Sequence, residues 1–162
     1  MIVFTEIEKF INYRKQLELA AKKIALIPTM GALHQGQLAL IRAAKKDNLI
    51  IIVTIFVNEK QFNLKEDLAN YPKTLAQDQA LLKQEAVDAV LIPEQKALYP
   101  TSFNCQINLK HDFLNKLCGP ARPGHWAGVA IIIFKLFNLT RPNYAYFGDK
   151  DFKQLQLIKA LV

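Results

Sequence analysis

The sequence predicts an α/β fold, a three-layer parallel sheet with helices on both faces. Three observations carry that expectation. Ile24–Ile27, Leu49–Phe56 and Ala89–Ile92 are continuous runs of apolar and β-branched residues, as suits strands covered on both faces. Stretches of helical periodicity separate them, and strands alternating with helices imply parallel pairing through right-handed crossovers. The first run passes through Pro28-Thr29-Met30-Gly31-Ala32-Leu33-His34-Gln35-Gly36-Gln37 into another helical pattern, a strand, a turn and a helix start in succession.

In chain order, Thr5 reads as an N-cap with Glu8 completing a capping box. The helix it opens runs to about Ala21, with Ile7, Phe10, Ile11, Tyr13 and Leu17 as its apolar stripe. Ile24–Ile27 is the first strand, and Gly36 to about Lys46 the second helix. Leu49–Phe56 reads as a central strand. Val57–Pro72 is a long polar loop with aromatics, of a length that often serves function. Thr74 starts a helix to about Glu85 with Leu75, Leu81 and Leu82 inward, and Ala89–Ile92 is a buried strand stopped by Pro93. Cys105–Asn108 reads as a short edge strand and Leu117–Gly128 as a loop. Val129–Thr140 admits two readings: its β-branched run says strand, and its length and spacing allow a helix. Asn143–Phe147 is a strand and Asp151–Val162 an amphipathic helix.

The 162 residues, 51% hydrophobic and 22% charged, suffice for one α/β domain with a sizeable core. No apolar run is long enough to span a bilayer, and Met1–Glu6 lacks the features of a signal peptide, so no membrane role and a cytoplasmic location are expected. Cys105 and Cys118 show no metal or disulfide spacing and suit a reducing compartment. The net charge of +7 allows a polyanionic partner. The pairs Lys22-Lys23 and Lys45-Lys46, however, fall at expected helix C-termini, where cations favour the dipole, and no basic block interleaves with aromatics. The expectation is therefore no nucleic acid, and a cleft for a small anionic ligand.

The chemistry concentrates at the ends of strands. Ligands of open α/β sheets bind where strands end and helices begin, and a helix N-terminus attracts phosphate. Besides Pro28–Gln37, four segments stand out: Val57-Asn58-Glu59-Lys60-Gln61-Phe62, Asp67-Leu68-Ala69-Asn70-Tyr71-Pro72, Arg122-Pro123-Gly124-His125-Trp126, and Phe147-Gly148-Asp149-Lys150-Asp151-Phe152-Lys153-Gln154. Read alone, the first is either a plain tight turn or a loop offering backbone N–H groups and the His34 ring, with Gly31 and Gly36 leaving room for phosphate. Gln61 and Gln154 alone are either solvated amides or ligand contacts, and Gly148–Asp151 is either a dipole-favoured helix start or an anion site.

In this order the segments resemble the pantoate–β-alanine ligase family of the nucleotidylyltransferase superfamily. The match runs from about Ile24 to Val162 and rests on the conjunction of PTMGALH, IFVN with QF three residues on, DLANYP, RPGH and FG-x-KD-x-x-Q. The resemblance implies a Rossmann-like domain over 1–162, with the family's smaller C-terminal domain absent from this stretch. It implies ATP-dependent condensation of pantoate with β-alanine through a pantoyl-adenylate, with Mg²⁺, and a homodimer. Met30, Gly31, Ala32, Leu33, His34, Gln35, Gly36 and Gln37, with Gly148, Asp149, Lys150 and Asp151, would bind ATP. Pro28, Met30, Gln61 and Gln154 would bind pantoate and β-alanine, and Phe62 would pack on the pantoate methyls or in the core. Asn58, Tyr71 and Arg122 would lie near the site, and His125 reads as structural.

His34, Gln37 and Lys150 would act on the phosphates, and here the sequence departs from the family. Its second motif histidine, assigned there as a proton donor, is Gln37. A glutamine amide donates a hydrogen bond but neither a proton nor a positive charge. Glu59 stands where the family usually has Pro, and Asp149 where it has Glu. The family's Ser-Ser-Arg loop lies beyond Val162, so this stretch by itself is expected to bind ATP weakly and turn over slowly, or to hold nucleotide and pantoate without catalysis.

Overall fold

The computed structural model describes residues 1–107 and 124–162. Five strands form one parallel sheet: β1 (Ile2–Phe4), β2 (Ile24–Thr29), β3 (Ile50–Ile55), β4 (Ala89–Leu91) and β5 (Tyr144–Ala145), in the spatial order β1-β4-β3-β2-β5. The helices are α1 (Ile7–Leu19), α2 (Gln35–Lys46), α3 (Lys65–Ala69), α4 (Leu75–Gln84), α5 (Gln95–Leu98), α6 (His125–Thr140) and α7 (Phe152–Leu161). From β2 the chain steps through β3 to β4 in one direction, then returns to place β5 on the other side of β2. The sheet's switch point therefore lies between β2 and β5, where α/β folds open a crevice at the strands' C-terminal ends.

Alternation along the strands explains the layers. Ile24, Leu26, Ile52, Ala89 and Leu91 face one core with Phe10 of α1, Leu157 and Ile158 of α7 and the apolar residues of α6. Ala25, Ile27, Ile51, Val53 and Val90 face the other with Leu38 and Ile41 of α2 and Leu82 of α4. Both faces of β2 and β3 are thus covered, which is why their sequences read as continuous apolar runs. Each fully buried Leu or Ile contributes about 1.5–3 kcal/mol relative to exposure.

Several local expectations are corrected. The N-cap of α1 is Glu6, not Thr5, and no side chain caps it. That helix ends at Leu19, so Lys22 and Lys23 follow it, whereas Lys45 and Lys46 do sit in the last turn of α2. The 57–72 segment carries a 3-10 turn, Glu59–Gln61, and the short α3. Residues 105–107 form no strand; Asn108, Cys118 and Arg122 lie outside the described residues. β5 covers only Tyr144–Ala145 of the expected 143–147, although Asn143 and Tyr146 extend its bonding to β2.

Residues 129–140 resolve to helix, which begins already at His125. Eight of its residues are buried between the sheet and its helical neighbours, so the β-branched run serves a helix that is apolar nearly all round. It ends at Arg141, held left-handed at φ 44° before Pro142. β1 escaped the sequence reading because three residues at a half-exposed edge carry little periodicity; its pairing with β4 spans most of the domain. No helix among the described residues is long and apolar enough to cross a membrane.

Candidate active site

β2 ends in a fastened turn. Thr29 Oγ1 donates to the Thr54 carbonyl at 2.8 Å and accepts from Gly31 N–H at 3.2 Å, closing the strand onto β3. Gly31 (φ 82°) and Ala32 (φ 50°) are both left-handed, and this tight reversal aims two N–H groups at one carboxylate. Asp78 of α4, only 2% exposed, accepts from Ala32 N at 3.0 Å, from Leu33 N at 2.8 Å and from Thr74 Oγ1 at 3.0 Å.

The loop then enters α2 through a reciprocal cap. His34 Nδ1 accepts from Gly36 N–H at 3.1 Å, and Gln37 Oε1 accepts from His34 N–H at 3.0 Å. Two chemical consequences follow. Because Nδ1 accepts, the proton of the neutral His34 ring sits on Nε2. Because Oε1 of Gln37 is used, its Nε2 is the donor that remains.

These bonds revise the reasons given for the glycines and for the free donors. A Cβ at Gly31 would come within 3.0 Å of Asp78 Oδ2, and one at Gly36 within 2.9 Å of the His34 ring. The space each glycine leaves is taken first by the protein itself. The N–H groups of residues 31–34 and 36 are likewise engaged internally. The capping box also engages the Gln37 N–H with the His34 side chain, and helix geometry leaves Gln35 as the first-turn N–H without an intrahelical carbonyl.

Beyond β3, Asn58 is a hub, 1% exposed. Its Nδ2 donates to the Gly128 carbonyl at 2.9 Å and to Gln61 Oε1 at 3.1 Å, and its Oδ1 accepts from Tyr99 O–H at 3.0 Å. Gln61 Nε2 reaches Met30 Sδ at 3.0 Å. His125 Nδ1 lies 2.7 Å from the Gln61 carbonyl, and since a carbonyl only accepts, that nitrogen carries the proton. The start of α6 thus presses on the 59–61 turn, so closely that a Cβ on Gly128 would lie 2.2 Å from the Lys60 carbonyl oxygen.

One cavity of about 190 Å³ gathers these parts. Pro28, Thr29, Met30 and Gln37 border it from the β2 side, and Phe56, Asn58 and Gln61 from the β3 side. Tyr71 and Gln154 add polar groups, while Val129, Ile132, Ile133 and Leu136 of α6 make an apolar wall. Burial, and after it the charge of Asp78, raises the Tyr71 phenol above its ordinary pKa, and its ring meets Phe62 edge-on at 5.7 Å.

The structure therefore collects Pro28, Met30, Gln37, Gln61 and Gln154, with Asn58 and Tyr71, around one space. His34, Gln35 and Gly36 are exposed at the α2 N-terminus. Gly148, Asp149 and Lys150 are exposed after β5, and Asp151 shares their 3-10 turn; parallel pairing with β2 brings both loops out at the same edge of the sheet. Among the described residues no group of three His, Cys, Asp or Glu could hold a metal ion by itself.

Sequence reasoning missed Asp78, Tyr99 and the carbonyl of Gly128. Asp78 lies in the first turn of α4, where the helix dipole favours an acid whatever it contacts. Its signal was its place one turn before Leu82, on the inward face of α4.

A family model described as pantoate-beta-alanine ligase matches residues 2–162. The chain is 42% identical to a pantothenate synthetase of Syntrophomonas wolfei subsp. wolfei and 43% identical to one of Pseudothermotoga lettingae, each over 162 residues. Both matches take in 100% of this chain and 57% of the relative, so it spans little more than half their length. Among solved structures, the pantoate-beta-alanine ligase from Francisella tularensis, complexed with beta-gamma ATP and beta-alanine, superimposes with a TM-score of 0.96 at 42% identity. That match covers 100% of this chain and 62% of the other. Pantothenate synthetase from Thermus thermophilus gives 0.92 at 34% identity, covering 100% and 57%.

Proposed function

The chain belongs to the pantoate-beta-alanine ligase family, and from that premise we propose that its single domain, residues 1–162, binds ATP and pantoate and joins them as a pantoyl-adenylate. β-Alanine then takes the acyl group to give pantothenate. In the first step a pantoate carboxylate oxygen attacks the α-phosphorus and pyrophosphate leaves. In the second the β-alanine amine attacks the acyl carbon and AMP leaves.

The observation that carries this reading is the makeup of the cavity. Gln61 and Gln154 bring neutral amides to a small space walled by Val129, Ile132, Ile133 and Leu136. A branched hydroxy acid matches that combination, its methyls on the apolar wall and its oxygens on the amides. Neutral donors orient a carboxylate while leaving it nucleophilic, whereas a charged clamp would quench it. Pro28 and Met30 complete the pantoate and β-alanine side.

In this reading, ATP lies along residues 30–37 and 148–151. Charge grows on the leaving phosphates, and donors already in place stabilise it. His34 Nε2–H, the Gln37 amide and the Lys150 ammonium are assigned that task. Mg²⁺ would accompany the triphosphate and neutralise its charge, a role that asks for no dedicated cage of side chains. Cytoplasmic location and a homodimer are part of the same proposal, the latter open to sedimentation analysis.

A second reading, binding without turnover, is favoured by one observation: Gln37 spends its carbonyl on the cap and retains only an amide donor. Lost proton donation typically costs about 10²–10⁴-fold in rate. Pyrophosphate release from MgATP, with and without pantoate, decides between them. Pantoate-dependent release supports the ligase reading. Saturable pantoate and ATP binding without release supports the second, and absence of both binding and release refutes the two together.

A further inference from the structure

We propose that Asn58 is a positioning residue that sets the polarity of the Gln61 amide, so that the cavity meets N–H donors at that place and selects ligand oxygens over ammonium groups. This deepens the reading of Gln61 as a pantoate contact and rests on it.

A terminal amide can be placed in two orientations, and two neighbours choose one for Asn58. The Gly128 carbonyl, 2.9 Å away, is an acceptor only, so Nδ2 must face it. Oδ1 then faces the Tyr99 hydroxyl at 3.0 Å, which must donate. Burial raises the Tyr99 phenol above its ordinary pKa, which keeps that donor in its protonated form. The second Nδ2 hydrogen goes to Gln61 at 3.1 Å, and only Oε1 can receive it. The choice made at a backbone carbonyl is thereby passed to Gln61. Its oxygen is turned inward and its Nε2 lies by Met30 Sδ at 3.0 Å, bordering the cavity. Thioether sulfur is a weak acceptor, so Nε2 retains donor capacity for a ligand oxygen.

The backbone of the same residue is tied as well, by His125 Nδ1 at 2.7 Å from its carbonyl. Gln61 is held at its base and at its tip, and its amide is costly to flip. Flipping would set two N–H groups against each other at the buried Asn58 and leave the Gln61 oxygen toward the ligand. The consequence is discrimination between the two substrates. Carboxylate and hydroxyl oxygens of pantoate are accepted at Gln61, and the ammonium end of β-alanine, a donor only, is refused there.

Side-chain amide NMR on the unliganded chain tests the polarity first. Nuclear Overhauser contacts between the Gln61 NH₂ and the Met30 methyl group, with the Asn58 NH₂ close to Gly128, are expected. The reverse pattern overturns the proposal whatever pantoate does. Titration with D-pantoate then tests the ligand class. The Gln61 NH₂ pair should shift while the Asn58 pair stays, and ethylamine, an ammonium with no carboxylate, should leave both unmoved. With the polarity in place, a cavity that pantoate leaves unperturbed overturns the ligand class and the pantoate reading together. Gln61→Glu supplies a readout that mere packing would not move. It should weaken pantoate binding about tenfold to a hundredfold at alkaline pH, and binding should recover toward acid pH as the protonated carboxyl regains an O–H donor. Unchanged affinity, or a loss without recovery, counts against the proposal.

Discussion

Replacing Gly128 by alanine tests the junction that frames the cavity. The new Cβ would sit 2.2 Å from the Lys60 carbonyl oxygen, 2.6 Å from its carbon and 2.8 Å from the Gln61 nitrogen. All three are backbone atoms, so no rotamer change relieves the clash. Reaching the 3.4 Å at which ordinary contact begins would move the start of α6 off the 59–61 turn by roughly 1.2 Å, the difference between those two distances. A shift of that size takes the Gly128 carbonyl from the Asn58 amide and His125 from the Gln61 carbonyl. Overpacking costs about 1–3 kcal/mol, and stranding a buried amide hydrogen adds about 1–3 kcal/mol. The better helix propensity of alanine returns about 1 kcal/mol. The net loss is about 3 kcal/mol, a fall in Tm of roughly 6–12 °C for a domain of this size.

Two other glycines calibrate the measurement. At Gly124 a Cβ meets nothing within 4 Å among the described residues but φ is 82°, so alanine there should cost about 1–2 kcal/mol from backbone strain. At Gly148 a Cβ likewise meets nothing within 4 Å among the described residues and φ is −79°, and alanine should stay within about 0.5 kcal/mol of the parent. Urea denaturation followed by circular dichroism gives all three values on one scale. A Gly128→Ala protein as stable as Gly148→Ala would refute the close packing of α6 on the turn, and with it the account of how Asn58 and Gln61 are held.

Asp78→Asn keeps the shape but leaves one acceptor oxygen for three donors; a stability loss of about 1.5–3 kcal/mol and weakened ATP binding are expected, and ATP affinity equal to the parent's would show that the 30–33 turn needs no such anchor. Gln37→His replaces the amide oxygen that caps His34 N–H with a ring nitrogen on a shorter, stiffer arm, so about 0.5–2 kcal/mol of stability should be lost while pantoate-dependent pyrophosphate release rises. Unchanged melting temperature would contradict the cap, and unchanged release the assignment of proton donation to that position. Tyr146 donates to Asp47 Oδ2 at 2.6 Å, and this bond to a carboxylate, more than burial, raises its pKa from 10.0 to about 12. The folded state therefore favours the protonated phenol. Its contribution to stability is complete below the unfolded value near 10 and is lost as pH rises toward 12; Tyr146→Phe should flatten that alkaline limb of a melting-temperature profile.

Much of the fold was legible because parallel strands buried on both faces have few ways to be written. Ile24–Ile27, Leu49–Phe56 and Ala89–Ile92 each overlap an observed strand, with ends misjudged by a residue or two. The helix at 125–140 was not legible from composition, since β-branched residues serve a strand and a wholly buried helix alike. The α1 cap was misplaced because Thr5 and Glu6 both offer oxygens, and the carboxylate of Glu6, the actual N-cap, pairs with Lys9 instead of capping the helix.

What the sequence by itself determined is the α/β alternation, the strand ends at which chemistry gathers, and the family, because these are written in local patterns and short motifs. Only the tertiary structure decided how the motif side chains are held and which way they point. Asp78 reaches the 31–33 turn from 45 and 46 residues away, Tyr99 meets Asn58 across 41, and the Gly128 carbonyl meets it across 70. An aspartate in a first helical turn, a tyrosine before a proline and a glycine in a helix carry no local mark of those partners. Hydrogen-bond polarity at Gln61 arises only when packing brings a carbonyl, a hydroxyl and two amides together around the buried Asn58.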